Sequence, residues 1–283
     1  MPLTTPRLAA AALRRLRGAR PAEPAPGPGR PERPAGPPSA APAGSLRLDG
    51  GFTDRFPGFL DTSQTSSYPW RLNLRHEAIF TMNRQLFDGA RVLDIASHDG
   101  RWSMAALDAG AAHVTGIEAR PELVAHAGEN LARYGVTADR FSFEAGDVFD
   151  FLAREGHEYD VVLCLGFLYH TLRHTELLGR ARDTGARHLV IDTEVHRHPE
   201  TIVRLATEPV EREGNAVPDG YAPGDTVITG RPTLSALELL GRSTGFELTR
   251  LADWDGLLRD NPDATQISDY RIGRRLTATF ERR

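Results

Sequence analysis

The stretch RVLDIASHDGRWSMAALDAG, running from Arg91 to Gly110, decides how this chain is read. Val92, Leu93, Ile95 and Ala96 surround a single acid, Asp94, and read as a buried parallel strand. The strand ends in a turn of small and polar residues, Ser97-His98-Asp99-Gly100. From Arg101 the pattern turns helical, with Trp102, Ala105, Ala106 and Ala109 on one face and Gly110 as a C-cap. A strand, a tight turn and a helix whose N-terminus points back at the strand end make a nucleotide-type binding site.

On either side of this unit the chain keeps the same rhythm. RLNLRHEAIFTMNRQLF (71–87) reads as an amphipathic helix that Asp88-Gly89 ends. After Gly110 come a strand over 113–119, a helix from Pro121 to Gly135, a strand over 140–147 and a helix over 148–156. An apolar strand (159–166), a helical pattern (170–185) and a further strand (186–195) follow. Strands and helices alternating over short links predict a doubly wound α/β fold, a mostly parallel sheet covered on both faces. Between His196 and Gly230 the rhythm breaks into two weak strand patterns, and 196–230 is expected to be an insertion over the active face. A helix (233–245), a strand (246–254) and a β-rich run (271–282) complete the chain.

Composition narrows what the fold can do. At 283 residues the chain suits one large domain with appendages, and its 40% hydrophobic and 25% charged content is that of a soluble globular protein. Residues 1–45 hold eleven of the twenty prolines, seven arginines and two acids, a composition expected to be a disordered tail, with the folded domain spanning 46–283. The tail's apolar stretch is too short for a secretory signal, and its first part is the kind of basic segment that touches anionic surfaces or targets a protein. With the tail at +5, the remaining residues carry −9, so the folded part is a poor candidate for gripping nucleic acid. There is no lysine, which excludes a P-loop and Schiff-base chemistry, and the single Cys164 excludes an internal disulfide. No apolar run is long enough to cross a bilayer, so a cytoplasmic protein is expected.

The turn after the first strand keeps one glycine, Gly100, where a nicotinamide-binding turn would show GxGxxG. Downstream acids sharpen the reading. Glu118, 24 residues after Asp94, ends the second strand where a carboxylate can accept both ribose hydroxyls. Asp147 ends the third strand and is placed to meet an adenine amino group, unless it serves only as a helix N-cap.

VLDIASHDGRWS, then GIEA, AGDV and YDVVLCLGFLYH, resembles the class I S-adenosylmethionine-dependent methyltransferases in order and spacing, over about residues 71–255. The resemblance implies a Rossmann-like seven-stranded sheet with a final antiparallel hairpin strand and S-adenosyl-L-methionine at the strand C-termini. By the same resemblance Asp94, Ala96, Ser97 and Gly100 line the methionine part, and Glu118 and Ala119 the ribose. Asp147 and Val148 would meet the adenine, and Leu165 the sulfonium region. The chain departs from the family at Ala96-Ser97-His98, where Gly-x-Gly is usual, so His98 needs a backbone conformation open to a non-glycine residue.

GFLYHTLRH and YAPGDTVITGRPTLSALELLGRSTGF are similar to tRNA uridine carboxymethyltransferases and their small-molecule relatives. Tyr169 matches a position that contacts the extra carboxylate of that enzyme's cofactor, but the lysine expected beside it has no counterpart. Plain methyl transfer to an O or N atom of a small molecule, a secondary metabolite being the expected kind, is therefore favoured. Carboxymethyl transfer, including tRNA modification, is the enzymatic alternative, and a non-catalytic cofactor-binding partner protein is the alternative of another class.

Methyl transfer needs an aligned nucleophile and a base for its proton. His170 is the first candidate base, with Tyr169 orienting substrate; His170 as a mere helix cap is the plainer alternative. His174 is a weaker candidate, and Asp192 is expected to touch substrate. Glu194, His196 and His198 read as a solvated loop rather than a metal site, Cys164 as a core residue, and Trp102 as packing against the sheet or the cofactor.

Overall fold

Strand β1, Arg91–Ile95, has four of its five residues buried because it lies at the middle of a sheet covered on both sides. Its side chains alternate between two cores: Val92 joins one cluster, Leu93 and Ile95 the other. The computed structural model describes residues 51–63, 68–211, 214, 217–218 and 224–283; the expected tail and the start of the domain at residue 46 lie outside them.

Helix α1, Pro69–Ile79, opens with proline at its first turn and precedes β1; a 3₁₀ segment, Thr81–Leu86, replaces the last part of the expected helix. Helix α2, Arg101–Ala109, strand β2, His113–Glu118, and helix α3, Pro121–Arg133, follow. Then come β3, Phe141–Ala145, α4, Val148–Leu152, and β4, Val161–Leu165. The expected helix over 170–185 is divided. A 3₁₀ turn, Leu168–His170, is followed by α5, His174–Asp183, so His170 sits in the turn and does not cap the helix. Strand β5, His188–Glu194, leads to the hairpin β6, Val203–Pro209, and β7, Thr226–Pro232. Helix α6, Leu234–Ser243, and strand β8, Phe246–Leu251, come next. The strand expected over 246–254 stops at Leu251, because Asp253 caps a helix, α7, Trp254–Asp260. Helix α8, Ser268–Arg271, and strand β9, Arg275–Arg282, end the chain.

The sheet has seven strands in the order β3-β2-β1-β4-β5-β9-β8. β1 to β5 are parallel, while β9 runs antiparallel to both β5 and β8. The chain steps outward one way through β2 and β3 and the other way from β4, so the switch lies between β1 and β4. Ligands of such sheets bind outside the strand C-termini at that point. The pair β6–β7 forms its own two-stranded sheet over the expected insertion. Among the described residues, no helix is long and apolar enough to cross a membrane.

A third cluster, containing Leu74, Ala78, Trp254, Leu258, Ile267 and Tyr270, packs α1 against the C-terminal helices. Trp254 stacks on Tyr270 at 3.7 Å and donates its indole N–H to Thr277 of β9 at 3.1 Å. This packing lays α1 beside the C-terminal end of β5 and the N-terminal end of β9 and brings Arg71 and Arg75 toward the site.

Gly100 shows why the turn after β1 tolerates one glycine least. Its φ is +81°, and an added Cβ would lie 3.0 Å from the Ala127 Cβ and 3.1 Å from Leu131 of α3. Gly100→Ala is therefore expected to cost about 2–4 kcal/mol, left-handed strain plus overpacking, in urea unfolding. A loss below about 0.5 kcal/mol would contradict this packing.

Candidate active site

The turn after β1 adopts the backbone that glycines would supply without having them. Ala96 and His98 have φ of 54° and 55°, and Gly100 follows at 81°. Left-handed conformation at two non-glycine residues costs of order 1–3 kcal/mol each and persists only where the surroundings fix it. Glu118 at the end of β2 does part of the fixing. Its Oε2 accepts the His98 N–H and its Oε1 the Arg120 N–H, both at 3.1 Å. One carboxylate thus ties the β1 turn to the β2 turn while bordering the cleft between them.

His98 and Arg101 grip Asp99, which is fully buried: Arg101 Nε donates to its Oδ1 at 2.8 Å, and His98 Nδ1 lies 3.2 Å away. Burial alone would raise the Asp99 carboxyl, but the charges of Arg101 and His98 outweigh it and hold the group well below the usual range. Asp94 stands behind the turn. Its Oδ2 accepts the Ser103 hydroxyl at 2.7 Å, while its Oδ1 and the Ser97 hydroxyl are buried without hydrogen-bond partners among the described residues. Burial pushes Asp94 up to about 7 against the Ser103 hydrogen bond, with the charges of Glu118 and Asp99 adding to the rise.

A cleft of about 550 Å³ opens over these turns and crosses β4 to β5. Ala96, His98, Glu118, Ala119 and Leu165 border it, as do Tyr169 and His170. Asp94, Ser97, Gly100, Asp147 and Val148 do not. Asp147 acts as the N-cap of α4, its Oδ1 accepting from Phe149 and Asp150 N–H at 2.7 and 3.1 Å, and Val148 packs in the core. Trp102 belongs to both settings. It is buried against Phe52 and Phe80, and it also borders the cleft under the Arg75 guanidinium, 4.8 Å from its ring.

Beyond β4 the structure corrects the expectation for Asp192. It has no exposed surface and makes no part of the cleft wall. Its Oδ1 accepts from Arg275 Nε at 2.6 Å and Arg75 Nη2 at 3.1 Å, and its Oδ2 from the Tyr270 and Thr277 hydroxyls at 2.7 Å. With its acceptor positions occupied it holds side chains in place and does not meet substrate. Burial opposes its ionisation, but Arg275 and Arg75 override this and keep the carboxyl far below its normal range.

Tyr169 and His170 sit on the 3₁₀ turn that follows β4, with ring centroids 4.1 Å apart. The guanidiniums of Arg231 and Arg275 lie 5.5 and 5.4 Å from the Tyr169 ring centre. His170 Nδ1 lies 2.8 Å from Glu208 Oε2 on β6. A carboxylate can only accept, so Nδ1 carries the proton and the neutral ring keeps its lone pair on Nε2. Arg231 Nη2 donates to Glu208 at 3.1 Å, and its Nε donates to Glu194 at 2.6 Å. Burial works against ionising Glu208, yet His170 and Arg231 pull it below the usual carboxylate range.

The remaining candidates fall elsewhere. His174 is buried with Nε2 3.1 Å from the Leu168 carbonyl, and burial lowers its pKa. His196 and His198 stack on each other at 5.8 Å, and Cys164 is buried in the core with its thiol pushed up to about 12. Arg75, Arg231, Arg275 and Glu208 belong to the site and were not singled out from the sequence, while Glu194, read there as part of a solvated loop, is instead the last residue of β5, borders the cleft and pairs with Arg231. Each comes from a different part of the chain from its partner, so no local spacing marks it.

Residues 92–186, from β1 to the residues before β5, match a family described as a methyltransferase domain. A methyltransferase of Mesorhizobium loti that depends on S-adenosylmethionine is 17% identical, covering 83% of this chain and 100% of its own, with a TM-score of 0.50. Magnesium protoporphyrin IX methyltransferase of Synechocystis PCC 6803, solved with bound S-adenosylhomocysteine, is 15% identical, covering 81% and 94%, with a TM-score of 0.51. At these identities the likeness is one of fold. No curated protein sequence matches the chain. A doubly wound sheet with a nucleoside-sized cleft at its switch point and a methyltransferase domain over β1 to β4 defines an S-adenosylmethionine-dependent methyltransferase. The fold is that of the class I superfamily of these enzymes, residues 92–186 carry the methyltransferase domain, and S-adenosylmethionine is the cofactor.

The buried state of Asp94 has a measurable consequence. Its folded pKa of about 7 exceeds the unfolded value near 3.8, so the native state binds the extra proton and stability falls as pH rises between the two. Relative to Asp94→Asn, the wild-type protein should lose up to about 4 kcal/mol between pH 4 and pH 8. Urea titrations of both proteins across that range check it; a constant difference would contradict a raised Asp94.

Proposed function

We propose that this chain transfers the cofactor's methyl group to an O or N atom of a small molecule, a secondary metabolite being the expected kind, with His170 taking the acceptor's proton. The observation that carries this reading is the pairing of His170, at the wall of the cleft, with Glu208 of β6, 2.8 Å apart. When bound, the cofactor supplies an electrophilic methyl, so the protein needs alignment and a base. Glu208 fixes the tautomer that leaves Nε2 able to accept, and Arg231 holds Glu208 from behind. Tyr169, between two guanidiniums, is placed to orient the acceptor beside Leu165.

On the other side of β4, the residues present fit the nucleoside half of the cofactor. Glu118 keeps further lone pairs for ribose hydroxyls, and the left-handed turn at Ala96 and His98 supplies the close backbone approach that glycines usually give. Ala119 would sit beside the ribose, Leu165 near the sulfonium, and Asp94, Ser97 and Gly100 would shape the methionine end from beneath. For Asp147 and Val148 an adenine contact rests on the resemblance alone. A cleft of this size suits a ligand rather than a polymer, and the −9 balance outside residues 1–45 does not favour a phosphate backbone.

Two measurements test the reading. In calorimetry with S-adenosylmethionine, Glu118→Ala is expected to bind at least about tenfold more weakly than wild type, the loss of one well-placed charge-assisted hydrogen bond. Equal binding would remove Glu118 from the site. On a panel of hydroxylated and aminated small molecules, wild type should release S-adenosylhomocysteine, and His170→Gln should lower kcat about 10²–10⁴-fold with cofactor affinity unchanged. Turnover surviving in His170→Gln would leave His170 without the role of base.

A further inference from the structure

The floor of the cleft beyond β4 carries more positive than negative charge, and burial keeps water from relieving it. Three guanidiniums, Arg71, Arg75 and Arg275, meet two carboxylates, Asp269 and Asp192. Arg71 and Asp269 form a two-pronged pair, both hydrogen bonds at 2.6 Å. Arg75 and Arg275 share the single charge of Asp192 through the same oxygen, Oδ1. Both arginines are over nine-tenths buried and both border the cleft, and Arg75 Nε has no hydrogen-bond partner among the described residues. Arg75 is otherwise met by the Leu165 carbonyl at 3.5 Å and the face of Trp102. Glu194, the nearby cleft acid, does not supply the missing charge, since it is engaged by Arg231 in the separate network of Glu208 and His170. A buried guanidinium without its own anion is costly, and low-dielectric walls concentrate its field on whatever enters the cleft.

We infer that Arg75 and Arg275 form a carboxylate subsite, and that the methyl acceptor is an acid whose carboxylate docks there. The inference rests on the small-molecule reading above and adds the class of substrate. The position of the pair assigns the carboxylate to the acceptor. Arg275 begins β9 and Asp192 lies near the end of β5, on the far side of β4 from Glu118 and the nucleoside half. Guanidinium geometry matches a planar carboxylate, and Tyr169 beside Arg275 adds a hydroxyl to the same wall.

Calorimetry on the full chain saturated with S-adenosylhomocysteine tests this, using benzoate, 4-hydroxybenzoate, pyruvate and malonate against their neutral amides. At least one acid is expected to bind tenfold or more tightly than its amide without displacing S-adenosylhomocysteine. In Arg75→Gln that preference should vanish while S-adenosylhomocysteine affinity stays; Arg187→Gln, at an exposed arginine just before β5, should keep both. The inference is overturned if no acid outperforms its amide, if the acids compete with S-adenosylhomocysteine, or if Arg75→Gln keeps the preference. It is also overturned if mass spectrometry of the purified protein finds a carboxylated form of the cofactor, which would place the anion on the cofactor. Should Arg75→Gln fail to fold, the wild-type comparison of acid with amide and the competition with S-adenosylhomocysteine still decide. Failure of S-adenosylhomocysteine itself to bind would instead strike at the methyltransferase reading.

Discussion

One carboxylate with no exposed surface, Asp192, holds together the half of the cleft beyond β4. It gathers hydrogen bonds from α1, from Tyr270 of the C-terminal helical segment and from two residues of β9, while itself lying on β5. An isolated carboxylate at that depth would cost several kcal/mol, and the two guanidiniums and two hydroxyls offset that cost. The arrangement therefore works only as a set. It is also what leaves a positive charge at the cleft floor, because one carboxylate serves two arginines.

The half of the cleft over β1 and β2 depends on a different acid. Glu118 bonds the backbone of two adjacent turns and so stabilises left-handed residues that are not glycine. The two halves meet at β4, whose last residue, Leu165, borders the cleft and offers its carbonyl to Arg75. The hairpin β6–β7 contributes the third part. It brings Glu208 against His170 and Arg231 against Glu194 and Glu208, so the part of the chain that interrupts the α/β rhythm braces the polar wall. Sheet and helix α1 thus contribute side chains to one cleft, and the hairpin braces two residues of its wall, His170 and Glu194.

The fold was legible in the sequence because it is written in local periodicity. The run Val92–Ile95 alternates between two cores, and the strand order with its antiparallel final pair follows from the alternation of elements and the resemblance they carry. Glu118 was legible by its distance from Asp94. The left-handed backbone at Ala96 and His98 was signalled only by their place in the turn, since neither residue type demands it. Asp147 shows the opposite case: an acid at a strand end reads equally as a ligand contact and as a helix cap, and its Oδ1 caps α4. The arginine cluster was not legible at all. Arg75 and Asp192 are 117 residues apart and Arg275 and Asp192 83, and an arginine on a helix or a strand reads as a solvated face until tertiary packing buries it. For the same reason Asp192 read as a substrate contact, and the Glu208 partner of His170 went unseen.

The most direct test of the central claim is to follow the methyl group. The protein is incubated with methyl-¹³C S-adenosylmethionine and a cell extract divided into small-molecule, protein and nucleic-acid fractions. Small-molecule methyl transfer predicts label on an O or N atom of a low-molecular-weight acid, with matching release of S-adenosylhomocysteine. Label confined to nucleic acid or protein, or no S-adenosylhomocysteine in any fraction, would contradict it.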